Sequence, residues 1–176
     1  MRIVVLGGTG QMGKLVVEQA KAGGHDVVAA ARSTGVDIST GAGLDEAFSG
    51  ADVVVDVSDH VTNSARKAIE FFETAARNIV AAEARAGVKH HVLLSIVNCD
   101  DPRLKSFGYY QGKAAQERVA GDRHLLAQRQ GLVGRPAGPP APVLALQNYR
   151  HAVVDLDHGL AVAGHEADAD FEVFLR

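Results

Sequence analysis

Three side chains in this sequence have types and spacing suited to moving a proton. Tyr109 and Lys113 stand four residues apart in GYYQGKAAQERV, which puts them one turn apart on a single helix face. A phenol with a pKa of about 10 shuttles protons poorly at neutral pH, but a neighbouring ammonium favours its ionised form and lowers that pKa. Ser95, near the end of the apolar run His91 to Ile96, adds a hydroxyl that a short loop could bring beside the pair. In such an arrangement Tyr109 exchanges a proton with a carbonyl or alcohol, and Ser95 hydrogen-bonds the reacting oxygen. Lys113 tunes the phenol and holds a ribose. None of these groups carries hydride, so a redox reaction here needs a cofactor.

The cofactor has a matching signal at the other end of the chain. Gly8-Thr9-Gly10-Gln11-Met12-Gly13 reads G-x-G-x-x-G, and Gly7, Gly10 and Gly13 also satisfy G-x-x-G-x-x-G. Glycine permits the tight turn, lets a pyrophosphate approach the backbone, and allows helix and strand to pack closely. The helix that follows offers unpaired N–H groups and a positive dipole end to phosphate. Farther on, an NAD site needs a carboxylate for the ribose hydroxyls, whereas NADP needs a cation and hydroxyls. The sequence there is Ala30-Ala31-Arg32-Ser33-Thr34, so Arg32 and Ser33 favour NADP, with NAD as the other possibility.

These residues require elements to position them. Ile3 to Leu6 is an apolar run ending in glycine, expected of a strand buried on both faces. Met12, Leu15, Val16, Gln19 and Ala20 recur at helical spacing until Gly23-Gly24. Val27 to Ala31 predicts a second strand, Val36 to Ile38 a very short third, and Leu44 to Phe48 a brief helix. Val53 to Val57 is a further strand. Ala65 to Ala86 is an alanine-rich helix with Ile69, Phe72, Ala76 and Ile79 on one face, closed by Gly87. His91 to Ile96 makes a fifth strand, and Tyr109 to Ala120 a helix. This alternation predicts an α/β fold with a doubly wound parallel sheet, whose strand carboxyl ends share one ligand-binding edge.

Composition bounds the rest. The 176 residues carry 18 basic and 21 acidic side chains and one cysteine, which excludes an internal disulfide and a cysteine-cluster metal site. With no basic block, nucleic-acid binding is not expected. The apolar run at the N-terminus is too short for a signal-peptide core or a membrane span, so a cytoplasmic protein is expected. All six lysines fall in the first 120 residues, whereas four of five prolines fall in the last 56. The chain accordingly divides into a dinucleotide-binding unit at 1–120 and an atypical segment at 121–176. Val153 to Ala163 allows either a short helix or an edge strand.

Residues 1 to about 118 resemble the short-chain dehydrogenase/reductase superfamily, in its extended or atypical NmrA-like NAD(P)H-binding branch. MRIVVLGGTGQMG, ADVVVDVS, ETAARNIVAAEARAGVKHHVLLS and GYYQGKAAQERV carry the likeness. It implies a Rossmann-like fold, with Gly7, Gly10 and Gly13 as the phosphate loop and Arg32 as reader of the 2′-phosphate. It also implies that Asp37 and Ile38 line the adenine, that Val57 and Ser58 flank the cofactor, and that Ser95, Tyr109 and Lys113 are the catalytic set. Members continue after the Y-x-x-x-K helix into a strand ending in Arg; here Leu132, Val133, Arg135 and Pro136 echo it faintly. In several members the equivalent of the alanine-rich helix packs in an oligomer, which extends to this chain as a homodimer.

Three functions remain open on sequence. The first is an NADP(H)-dependent oxidoreductase acting on a small carbonyl or quinone-like molecule. The second is a non-catalytic dinucleotide sensor, and the third is a truncated or frame-shifted product that keeps the cofactor half. His151, His158 and His165 recur every seven residues, but Gly159 and Gly164 undermine the helix a metal face would need, so no metal site is expected. His90-His91 is expected to meet solvent, Asp100-Asp101 to be a loop acid pair, and Cys99 lacks any neighbour in sequence that would make a thiolate.

Overall fold

The computed structural model describes residues 1–62, 64–96, 99–104, 106–129, 152–155, 161–163 and 172–174, with side chains up to residue 121. Its first element, β1 (Arg2–Leu6), runs into the glycine loop and then α1 (Gln11–Ala22). Next come β2 (Asp26–Ala30), the short α2 (Leu44–Phe48), β3 (Val53–Asp56) and the long α3 (Ala65–Ala86). The order continues with β4 (His90–Ser95) and α4 (Gly108–Arg129), then the short strands β5 (Ala152–Asp155), β6 (Ala161–Ala163) and β7 (Glu172–Phe174).

The main sheet has the order β2-β1-β3-β4-β5. Its first four strands are parallel, as the alternating sequence predicts, while β5 closes the edge antiparallel to β4, pairing Ala152 with Ser95 and Asp155 with Val92. Period-two alternation divides the apolar side chains between two layers. Ile3, Val5, Val53 and Val55 pack with Val16 and Val17 of α1 on one face. Val4, Leu6 and Val54 pack with Leu44, Phe48 and Ile79 of α2 and α3 on the other. Covering both faces with helices is what lets the strands be apolar throughout.

The connection from β1 leads through α1 to β2 on one side, and the chain then returns past β1 to form β3 on the other. The crevice at that reversal, outside the strands' carboxyl ends, is where ligands bind in such sheets. Everything placed after β1, β2 and β3 therefore converges there.

Two expectations need correction. Val36 to Ile38 does not form a strand and contributes one isolated bridge, Asp37 to Ala42. The Asp37 carboxylate accepts from the Ser39 amide at 2.9 Å and its hydroxyl at 2.6 Å, closing a turn before pairing can propagate. The parallel sheet within 1–120 thus has four strands, not five. His91 does not meet solvent either: its side chain is 9 % exposed and its Nδ1 lies 2.6 Å from Oε1 of the buried Glu83 of α3. Two polar side chains here tie a sheet strand to its covering helix.

Val153 to Ala163 yields the edge strand β5 and the start of a separate two-stranded pairing of β6 with β7. Leu132, Val133, Arg135, Pro136, His151, His158 and His165 lie outside the described residues. Among the described residues no helix is long and apolar enough to cross a membrane.

Candidate functional site

The glycine loop begins where β1 ends. Gly7 takes φ +77°, a left-handed conformation that favours glycine, and its N–H donates to the Ala30 carbonyl at 2.9 Å. A Cβ on Gly13 would stand 2.1 Å from the Gly7 carbonyl oxygen, so this position admits no side chain while α1 keeps its seat against the loop. No side chain caps α1 at Gly10, and its first turn holds no acid. Its opening N–H groups thus remain available for an anion.

Around this loop lies a cleft of about 590 Å³. It is lined by Gly7, Thr9, Gly10, Gln11, Met12 and Gly13 of the loop and the start of α1, by Arg32, Ser33, Asp37 and Ile38 after β2, and by Val57 and Ser58 after β3. All twelve cofactor residues expected from sequence therefore meet at one cavity. Arg32 and Ser33 sit in a 3-10 turn at Arg32–Thr34 directly after β2, both exposed, with Arg32 close enough to Asp37 to help hold that carboxyl below its ordinary range. The larger cause of the lowering is the pair of hydrogen bonds from Ser39. Ser58 adds a buried hydroxyl with no hydrogen-bond partner among the described residues. The bare backbone cradle, the uncapped helix start and this orphaned hydroxyl fit the pyrophosphate and sugar of a dinucleotide.

The proton-moving set sits differently. None of Ser95, Tyr109 and Lys113 is among the side chains that wall the cleft. Ser95 is 1 % exposed at the end of β4, on the face it shares with Leu93, and its hydroxyl lies 3.9 Å from the Cys99 sulfur. Its hydroxyl is thus buried beside Cys99 at the carboxyl end of β4. Lys113 is 2 % exposed. Its ammonium donates to Gln116 Oε1 at 2.7 Å and sits 4.8 Å from the centre of the Phe72 ring. Gln116 passes the network on, donating to Asp56 Oδ2 at 2.9 Å, and Asp56 Oδ1 accepts from the Ser58 amide at 2.9 Å. Burial pushes the Lys113 ammonium down, against the pull of Asp56 and Asp59.

Tyr109 and Lys113 do share a face of α4, as their spacing requires, and both meet Phe72 of α3. The lowered phenol pKa expected for Tyr109 is not what the surroundings produce. Burial pushes it up, and the negative charge of Asp59 adds to the rise. The Lys113 charge that should oppose this is held by Gln116 and Phe72.

Sequence reasoning missed four lining residues that matter: Ser39, Asp59, His60 and Phe71. His60 stacks on Phe71 with centroids 4.3 Å apart and planes 21° apart. Asp59 and His60 follow Val57-Ser58 directly, so the rule that ligands bind beyond strand carboxyl ends would have found them. Phe71 carried no such signal, since its neighbour Phe72 is core. Cys99 is buried, and burial first, then Glu117, pushes its thiol up to about 12, in keeping with an inert cysteine.

A sequence pattern described as NAD(P)H-binding matches residues 7–128. No curated protein matches the chain. Among solved structures, a GDP-L-fucose synthetase from Naegleria fowleri bound to NADP superposes with a TM-score of 0.60 at 16% identity, covering 74% of this chain and 50% of that one. A small-chain dehydrogenase superposes at 0.61 with 21% identity, over 76% and 78% of the two chains. A short-chain dehydrogenase/reductase superfamily protein from Agrobacterium tumefaciens with bound NAD gives 0.58 and 20% over 73% and 45%. At these identities the likeness shows the fold alone, a Rossmann-like sheet covered by helices. The chain spans about half the length of the fucose synthetase.

Proposed function

We propose that this chain, which belongs to the NAD(P)H-binding family, is an NADP(H)-dependent oxidoreductase of the short-chain dehydrogenase/reductase type, moving hydride to or from a small carbonyl or quinone-like molecule. The observation that carries the reading is the convergence of twelve residues, picked by chemistry and resemblance, on one cleft at the strands' carboxyl ends. The dinucleotide, when bound, supplies or accepts the hydride. Gly7, Gly10 and Gly13 leave its pyrophosphate room against the backbone, and the α1 N–H groups answer its charge. Arg32 and Ser33 favour the 2′-phosphate of NADP over a free hydroxyl. Tyr109 exchanges the proton that accompanies hydride transfer, and Lys113 steadies the ribose side of the site.

One observation favours a second reading, a cofactor-binding sensor without turnover. The Lys113 ammonium is engaged by Gln116, and Ser95 is turned toward Cys99, so the catalytic set has to rearrange before it can act. Titrating NADPH and NADH while following thermal unfolding separates the outcomes, because a ligand of the folded state raises the melting temperature. Stabilisation together with NADPH oxidation on a panel of aldehydes, ketones and quinones supports the oxidoreductase. Stabilisation without turnover on the whole panel favours the sensor, and no stabilisation by either dinucleotide sinks both.

A further inference from the structure

We propose that Gln116 and Asp56 are positioning residues for Lys113: the Gln116 amide takes one hydrogen of the ammonium and is itself held by the Asp56 carboxylate, which also seats Ser58 in the wall of the cofactor cleft. The line of hydrogen bonds stands on its own geometry, whereas its use in turnover rests on the oxidoreductase reading. Asp56 ends the apolar strand β3 and is buried there. A buried carboxylate needs a partner for each oxygen. Oδ1 accepts from the Ser58 N–H at 2.9 Å, and Oδ2 accepts from Gln116 Nε2 at 2.9 Å. Gln116, buried as well, accepts through Oε1 from the Lys113 ammonium at 2.7 Å. Since Ser58 lines the cleft, these three hydrogen bonds connect the cofactor wall to an ammonium on α4.

The line has a fixed polarity, which accounts for the residue type at both positions. Position 56 must accept on both sides, and position 116 must accept at one end and donate at the other. Asparagine at 56 would set donor against donor, at Ser58 or at Gln116, and turning the Gln116 amide to relieve this would aim its NH2 at the ammonium. Glutamic acid at 116 keeps an acceptor toward Lys113 and, when protonated, an O–H toward Asp56. Methionine there fills the space and offers neither. Stability alone does not call for the line, because apolar side chains of the same volume would pack α4 on β3 without desolvating two charges. What it supplies is a fixed place for the ammonium relative to Ser58. Charge reaches Lys113 from Asp56 of β3, from Asp59 in the loop after it, from Glu117 of α4 and from Cys99 after β4, while α3 brings the uncharged Phe72. The carboxylates favour the ammonium and burial opposes it, so loss of the Gln116 acceptor tips Lys113 further toward the neutral form.

The test uses the full chain labelled with 13C at the lysine ε-carbon and the glutamine side-chain carbonyl carbon, with signals assigned from Lys113→Met and Gln116→Glu. Ionisation is followed between about pH 6 and pH 11. In wild type the Gln116 carbonyl carbon should report the same midpoint as Lys113, and separate midpoints overturn the proposal. Gln116→Met should lower the Lys113 midpoint by about one pH unit or more, whereas Gln116→Glu should leave it at the wild-type value or above. An equal fall in both variants, the mark of a packing role alone, or no change in Gln116→Met, overturns it too. The Gln116 carbonyl signal should also move in Asp56→Asn, and a signal unmoved there removes Asp56 from the line. In NADPH oxidation, Gln116→Met should lower kcat about tenfold and Gln116→Glu much less; equal kcat in wild type and Gln116→Met counts against a use in turnover. If the titrations behave as expected while the wild type turns over no acceptor, the oxidoreductase reading fails and the placement of Lys113 by Gln116 and Asp56 stands.

Discussion

The cofactor cleft and the Tyr109–Lys113 region lie side by side in one fold, yet they are built from different materials. The cleft is mainly backbone: a positive-φ glycine at Gly7, the close approach of Gly13 to the Gly7 carbonyl, and the uncapped start of α1. The second region is side chains held by other side chains, Lys113 by Gln116, Gln116 by Asp56, and Tyr109 by Phe72. Backbone geometry follows from glycine spacing and strand-to-helix order, both of which are local. Side-chain networks depend on whichever residues the fold brings from elsewhere in the chain, 60 positions away for Gln116 and Asp56.

Substitutions can break this contrast or sharpen it. The largest effect is expected at Gly13→Ala, whose methyl would stand 2.1 Å from a carbonyl oxygen that cannot rotate away. It should destabilise the fold by about 3 kcal/mol in urea unfolding and abolish stabilisation by NADPH. Unchanged binding would show that the loop is not the backbone cradle described. Tyr109→Phe should lower kcat about 100-fold or more while the NADPH-induced rise in melting temperature persists; loss of both together would mean that the two regions are not separable. Arg32→Ala should weaken NADPH about tenfold and leave NADH nearly unchanged, read by fluorescence titration. Equal losses for both dinucleotides would remove Arg32 as the 2′-phosphate reader.

The smallest effect concerns Cys99. Thiol reagents attack the thiolate, so a thiol raised to about 12 should remain almost unlabelled at neutral pH in the folded chain and react promptly in denaturant. Fast labelling of the folded protein would show that the Ser95 side of α4 opens more readily than its burial implies. The sign is fixed by burial and by Glu117, both of which favour the protonated form.

Much of the fold was legible. The four parallel strands and the helices between them follow from apolar runs and their period, with ends displaced by one or two residues, and Gly87 closes α3 in the left-handed conformation its position suggests. Val36 to Ile38 does not form the expected strand because β-branched residues favour a strand only where a partner is present, and Asp37 instead folds the chain onto Ser39. His91 was misread for a related reason. A polar residue opening a strand is usually solvated, and nothing near it in sequence reveals that Glu83 of the preceding helix will be buried against it.

The sequence by itself determined the glycine cradle, the α/β alternation and the pairing of Tyr109 with Lys113 on one helix face. Each is a matter of spacing along a single element or across one turn. Only the tertiary structure decided that Tyr109 packs edge-on against Phe72, that Lys113 is held by Gln116 and Gln116 by Asp56, and that Ser95 lies beside Cys99. A pKa and a hydrogen-bond partner are set by what lies within a few ångströms in space, and α4 meets those neighbours only after the sheet has assembled beneath it.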